Sequence, residues 1–450
     1  MEANRAVVRE LRGSPASGLA GATLGFFVGF AAVSLFGPTA EYLRRTIGLT
    51  PALAGLLISV PNLSGSLLRI PFSAMVDTTG GRKPFLILLT LSIVGVAAVF
   101  VILSRPVPLI APLFPLLLLA GALAGCGIAT FSVGISQTSY WFPQARQGTA
   151  LGAYAGIGNL APGLFAFLIG AVTLPRLGLS GSYLVWLVFL SAGTLAYAAL
   201  GRNAWFFQLR NRGLGRDEAR LAAARQHGQE LFPKERIVES LRASAGTWKT
   251  WALVTVYFTT FGGFLALTGW LPKYWMGHHG MELAAAGALT ALYSVLASLV
   301  RIVGGGISDR LGGAATSGVF LLVMLAGSLL MLLPKGLGLA VWGTVLMAVG
   351  MGVCNAAVFK LAAQEIPHAI GGAAGWIGGL GAFGGFVLPN LLARFLNGDT
   401  PGDPGYRVGF VVFSALCIVS LVVVRALRRN GRNASQRPVR TGANEAAPEA

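Results

Sequence analysis

The chain alternates long apolar runs with short polar breaks from near residue 16 to near residue 426. Continuous apolar runs of this length predict membrane-crossing helices. They exclude a closed barrel, whose strands alternate in and out. About twelve spans are predicted, near 16–40, 51–76, 84–104, 109–141, 147–171, 181–201, 249–276, 283–308, 314–334, 337–363, 369–395 and 406–426. The expected fold class is an all-α polytopic membrane protein. Between the sixth and seventh spans lies one long polar loop, 202–248. It divides the chain into a short N-terminal segment (1–15), a six-helix half (16–201), the loop, a second six-helix half (249–426) and a polar tail (427–450). The tail is expected to be disordered, being rich in Ala, Arg, Asn and Pro. The N-terminus shows no small-residue cleavage pattern, so the first span is read as mature structure.

The second half repeats the first. Arg69 lies in LLRIPFSAMVD and Arg301 in LVRIVGGGISD, each eight residues before an aspartate, Asp77 or Asp309. Gly148, Gly152, Gly156 and Gly158 correspond to Gly371, Gly375, Gly379 and Gly381 at one constant offset, and Pro143 and Pro367 close the fourth and tenth spans. Parallel six-span repeats place a substrate between the halves, near the membrane midplane.

Composition agrees, with 54% hydrophobic and 11% charged residues and a mean hydropathy of +0.70. A net charge of +18 raises the question of nucleic acid. The positive charges answer it by gathering on one side: both termini and the 202–248 loop, which holds nine basic and five acidic residues. By the positive-inside rule that side is cytoplasmic, so both termini are expected there, in the inner membrane. Its basic surface suits anionic lipid headgroups. The three cysteines, Cys126, Cys354 and Cys417, fall within spans and suggest packing. The four histidines are placed at loops or span ends, so no metal site, cofactor or catalytic centre is expected.

Arg69 and Arg301 carry the chemistry. With a rise of about 1.5 Å per residue, each lies about 12 Å inside the face marked by its aspartate. In a hydrocarbon core about 30 Å thick that is near the midplane. An ionised group there usually faces a cavity and does a job. Snorkelling is hard from that depth, and all 16 acidic residues fall in loops, tails or span ends. A bound anion is the partner that fits, since guanidinium offers a planar fork of donors to an oxyanion. The glycine arrays ALGAYAGIGN (150–159) and AAGWIGGLGAFGG (373–385) let helices crowd around a small site. Asn159 is either a donor to the anion or an interhelical bond. Phe131, Tyr257 and Phe261 either clamp a flat anion or pack the bundle. Tyr257 and Phe261 are four apart, so they share a helix face. Lys360, in VFKLAAQEIP, is a third cation inside a span. It either exchanges a proton during the cycle, pairs with Glu365, or snorkels.

The loops VDTTGGRK (76–83) and SDRLGG (308–313) resemble the conserved loop of the major facilitator superfamily. Thr78 departs from the usual Asp-Arg pattern of the first copy. The segments 150–163 and 371–389, the latter ending GGFVLP, are similar to the two glycine-rich signatures of its nitrate/nitrite porter family. The resemblance covers about residues 20–425. It implies a transporter for nitrate, with nitrite as a second substrate, and no enzyme. It implies an anion held by Arg69 and Arg301, with Asn159, Phe131, Tyr257, Phe261, Gly156, Gly158, Gly379 and Gly381 around it. The fourth-span string GCGIATFSVG departs from the family's Asn/Gly-rich string. It implies charge contacts at the cytoplasmic face through Asp77, Arg82, Asp309 and Arg310. The VFKL string is similar to that of members that move nitrate with protons, which makes Lys360 the coupling candidate and symport the favoured mode, ahead of nitrate/nitrite exchange. A monomer is expected. The rival readings are a superfamily carrier for another small anion, such as an organic acid or phosphate, and a non-transporting sensor or scaffold.

Overall fold

A computed structural model describes residues 11–31, 35–36, 39, 43, 46–49, 51–233, 236–333, 336–367, 369–396 and 404–435. Among them there are helices and turns but no strand. The first six membrane helices are α1 (Pro15–Ala31), α2 (Pro51–Thr79), α3 (Arg82–Leu103), α4 (Val107–Trp141), α5 (Gln147–Leu168) and α6 (Leu174–Leu200). Three short helices follow in the polar loop: α7 (Trp205–Asn211), α8 (Arg216–His227) and α9 (Ile237–Ala245). Then come α10 (Trp248–His279), α11 (Leu283–Leu311), α12 (Gly313–Leu332), α13 (Leu337–Glu365), α14 (Ile370–Pro389) and α15 (Val411–Ser435). Among the described residues, nine helices are long and apolar enough to cross a membrane. The helices α1, α2 and α5 complete the predicted order. The last helix runs to Ser435, beyond the predicted end of its span at 426. Residues 1–10 and 436–450, with most of the predicted N-terminal segment and tail, lie outside the described residues.

Large apolar side chains point outward along these helices: Leu195 is 72% exposed, Val422 65% and Trp342 64%. In water such a belt is unfavourable by about 25 cal/mol per Å². In lipid it is the expected outer surface.

Two helix pairs set the site. The helix α14 packs along α2, and α5 packs along α11. Both pairings join an early helix to a late one, and the glycine arrays are the reason. A Cβ at Gly375 stands 2.8 Å from the Ile70 carbonyl oxygen, and one at Gly152 stands 2.9 Å from that of Arg301. One turn on, the obstacles are the carbonyls of Ser66 for Gly379 (2.9 Å) and Ser298 for Gly156 (2.8 Å). Only glycine permits this backbone approach. The close contact draws the two arginine-bearing helices toward the middle of the bundle.

Candidate functional site

Arg69 from α2 and Arg301 from α11 are both buried, at 0% and 1% exposure. Arg69 donates to the carbonyls of Gly378 (2.8 Å) and Ile128 (3.4 Å). Arg301 donates to the Tyr257 hydroxyl and the Asn355 carbonyl, both at 3.3 Å. Among the described residues neither meets a carboxylate, and Nε of Arg69 and Nε and Nη1 of Arg301 have no hydrogen-bond partner. A buried charge normally finds such partners, because desolvation without them is costly. These arginines keep donors in reserve.

Aromatic rings fill the space beside both guanidiniums. Arg69 lies 4.8 Å from the Phe131 centroid and 5.4 Å from that of Phe261. Arg301 lies 5.3 Å from Phe131, 5.6 Å from Phe261 and 5.9 Å from Tyr257. Phe131 and Phe261 stack at 5.5 Å, and Tyr257 and Phe261 at 4.8 Å, all nearly parallel. The segment Phe258–Gly262, which carries Phe261 and begins just after Tyr257, is π-helical. Such local bulges gather at functional sites. The rings' negative faces stabilise the two like charges by about 0.5–2 kcal/mol per contact.

Phe359 of α13 belongs to this box. It meets Phe131 edge-on at 5.5 Å and Tyr257 at 4.9 Å. Sequence reasoning passed over it, since an aromatic in an apolar span carries no signal of its own. Asn159 is buried with its side-chain oxygen unpartnered, and its carbonyl accepts from Ser298 of α11 at 3.4 Å. Gly156 and Gly379 lie at the helix contacts described above, while Cβ atoms at Gly158 and Gly381 would strike Phe26 and Tyr257. The structure thus makes these four glycines spacers that seat the helices and rings.

A second polar layer lies at the end of the bundle that carries the basic loops. Asp309 accepts from the main-chain N–H of Gly148 (2.9 Å) and Thr149 (2.7 Å), and from the Thr149 hydroxyl (2.6 Å). Asp77 accepts from the Tyr140 hydroxyl at 2.6 Å and from Ser240 of α9. It faces the N-terminus of α14, where a Cβ at Gly371 would collide with its carboxylate. Each aspartate therefore caps a helix from the other end of the sequence, where the helix dipole favours a negative charge. Lys360 is buried and donates to Asp309 at 2.6 Å and to the carbonyls of Gln144 (2.7 Å) and Ala145 (3.4 Å). Glu365, offered as a partner by the sequence, pairs instead with Lys249. Arg82 donates to the Ala198 carbonyl at 2.8 Å. Arg310 is exposed.

Comparison with known proteins decides the family. The model of the Major Facilitator Superfamily matches residues 22–389. A probable nitrate/nitrite antiporter, NarK1 of Thermus thermophilus, is 32% identical over 397 residues, covering 82% of this chain and 83% of that one. The chain belongs to the major facilitator superfamily, as a member of its nitrate/nitrite porter family. The nitrite extrusion protein of Bacillus subtilis is 27% identical, covering 89% of this chain and 92% of that one. Among solved structures, the superfamily proton:xylose symporter XylE superposes with a TM-score of 0.71 at 14% identity, covering 92% of this chain and 95% of that one. That likeness supports the major facilitator fold. Members of this superfamily are transporters and not enzymes, and the chain is a multi-pass membrane protein.

Proposed function

We propose that this porter moves nitrate, and nitrite with it, across the cytoplasmic membrane by alternating access. The anion is held between Arg69 and Arg301. One observation carries this reading: two buried guanidiniums with unused donors share an aromatic box and meet no carboxylate among the described residues. A planar oxyanion supplies the missing negative charge, has flat faces to set against the rings, and accepts hydrogen bonds from the donors that each fork has left. Phe131, Tyr257, Phe261 and Phe359 exclude water, so the attraction acts at low dielectric. Without an anion the two like charges resist approach, so binding draws residues 16–201 and 249–426 together.

The Asp77 and Asp309 layer is the cytoplasmic gate in this reading, since it lies at the Lys- and Arg-rich face. Lys360 bridges Asp309 to the loop after α4, so the gate cannot open while it holds both. Both termini lie in the cytoplasm, near anionic headgroups, and the monomer is the working unit. Inward movement of an anion is opposed by the membrane potential by about 2.3 kcal/mol per 100 mV. Uptake therefore needs coupling. Proton symport is favoured, with Lys360 at the gate as the coupling candidate. Nitrate/nitrite exchange, which is electroneutral, is next.

The test is nitrate uptake by purified protein in liposomes under two separate drives. Uptake with an inward proton gradient and no internal anion is expected. Uptake only against internal nitrite establishes exchange instead. Uptake under neither drive overturns the proposal.

A further inference from the structure

More polar groups stand unpaired around Arg301 than the two arginines account for. Asn355 of α13 is 2% exposed, and its side-chain oxygen has no hydrogen-bond partner among the described residues. Its position is tightly set. Its carbonyl accepts from Arg301 Nη2 at 3.3 Å. Phe359, four residues on, shares its helix face and is itself part of the aromatic box. One turn earlier, a Cβ at Gly352 would collide with the Ala297 carbonyl, so α13 lies against α11 at this depth. On the other flank of α11, Asn159 is the matching case: buried, bonded through its carbonyl to Ser298, its side-chain oxygen unpartnered. Two amides from different helices thus border the turn of α11 that carries Arg301.

A buried amide oxygen without a partner is unfavourable and uncommon. Were Asn355 an interhelical bond, its side chain would have found an acceptor or donor. Its two ends exchange by a half-turn, so either can face the site. The arginines have already committed part of their forks. Arg69 gives Nη1 and Nη2 to main-chain carbonyls, and Arg301 gives Nη2 to Tyr257 and Asn355. Nε of each and Nη1 of Arg301 have no partner at all, so each guanidinium can hold one oxygen of an anion. A three-oxygen anion held this way has a third oxygen left for another donor. A two-oxygen anion has none.

We infer that the Asn355 side-chain amide is a further donor to the anion held at Arg301, and that it favours nitrate over nitrite by engaging nitrate's third oxygen. The inference rests on the nitrate reading above.

The experiment is calorimetric titration of the purified full chain with nitrate and with nitrite, alongside its melting temperature. The variants are Asn355→Leu, Asn355→Asp and, in parallel, Arg301→Lys. Asn355→Leu is expected to weaken nitrate about ten- to hundredfold, as for a lost bond to a charged group, and nitrite less. Asn355→Asp is nearly isosteric and places a carboxylate beside Arg301. It is expected to lose nitrate binding with its melting temperature kept. Unchanged nitrate affinity in Asn355→Asp overturns the inference, whether or not the leucine variant folds. Equal weakening of both anions in Asn355→Leu overturns the role in selectivity. Loss of binding in Arg301→Lys with normal binding in both Asn355 variants defeats this inference alone. Normal binding in Arg301→Lys defeats the two-arginine reading itself.

Discussion

Arg69 and Arg301, from opposite halves of the sequence, face one ring. Their guanidiniums lie 4.8 and 5.3 Å from the centroid of Phe131. A single neutral side chain thus stands beside two like charges that would otherwise repel. The arrangement leaves both charges unneutralised until an anion arrives, yet makes the apo site tolerable.

Replacing either arginine with lysine keeps the charge and removes the planar fork. Arg69→Lys and Arg301→Lys are each expected to weaken nitrate by about ten- to hundredfold, the cost of bonds to a charged group. Initial uptake rates in liposomes over a nitrate concentration series check this. Normal uptake by either variant removes that arginine from the site.

Phe131→Leu keeps the site apolar but withdraws the ring from both guanidiniums. With about 0.5–2 kcal/mol per contact, the variant is expected to bind nitrate several-fold more weakly and to show a lower melting temperature without ligand. A variant with both quantities unchanged makes Phe131 simple packing.

Lys360→Gln releases the carbonyls of Gln144 and Ala145 and leaves Asp309 with the Gly148 and Thr149 donors. Breaking a buried pair from one side costs about 3–5 kcal/mol. The helix-capping bonds that remain put this case at the low end. Slower transport with near-normal nitrate affinity is expected, together with an altered pH profile of uptake. Adding Asp309→Asn should recover about 0.5–3 kcal/mol of the loss in a double-mutant cycle. An unaltered pH profile retires the proton role and leaves Lys360 a latch.

Gly375→Ala forces a methyl group to within 2.8 Å of the Ile70 carbonyl, a backbone atom that cannot turn away. Overpacking of this kind costs about 1–3 kcal/mol. A lower melting temperature and reduced uptake are expected. Gly287→Ala serves as the control, because a Cβ there meets nothing within 4 Å. If the two variants behave alike, the close contact of α14 with α2 has no functional weight.

Local pattern alone determined much of this. The spans follow from apolar runs, because a helix is the way a single segment satisfies its own backbone in lipid. Arg69, Arg301, Asp77 and Asp309 stood out for the same local reason, as charges in apolar surroundings at a repeated spacing. Phe131, Tyr257 and Phe261 came from resemblance, and geometry gathers them at the arginines. Only the tertiary structure decided the partners. Lys360 reaches Asp309, 51 residues away, and not Glu365 five residues on, because α11 and α13 pack while positions i and i+5 on one helix diverge. Ser240, in a loop that reads as merely basic, proved to touch Asp77. Phe359 and Asn355 look like filler in an apolar span until α13 is laid against Arg301. Periodicity reports which face of a helix is buried. Which helix buries it depends on close packing between segments far apart in the chain, and no window of sequence contains that.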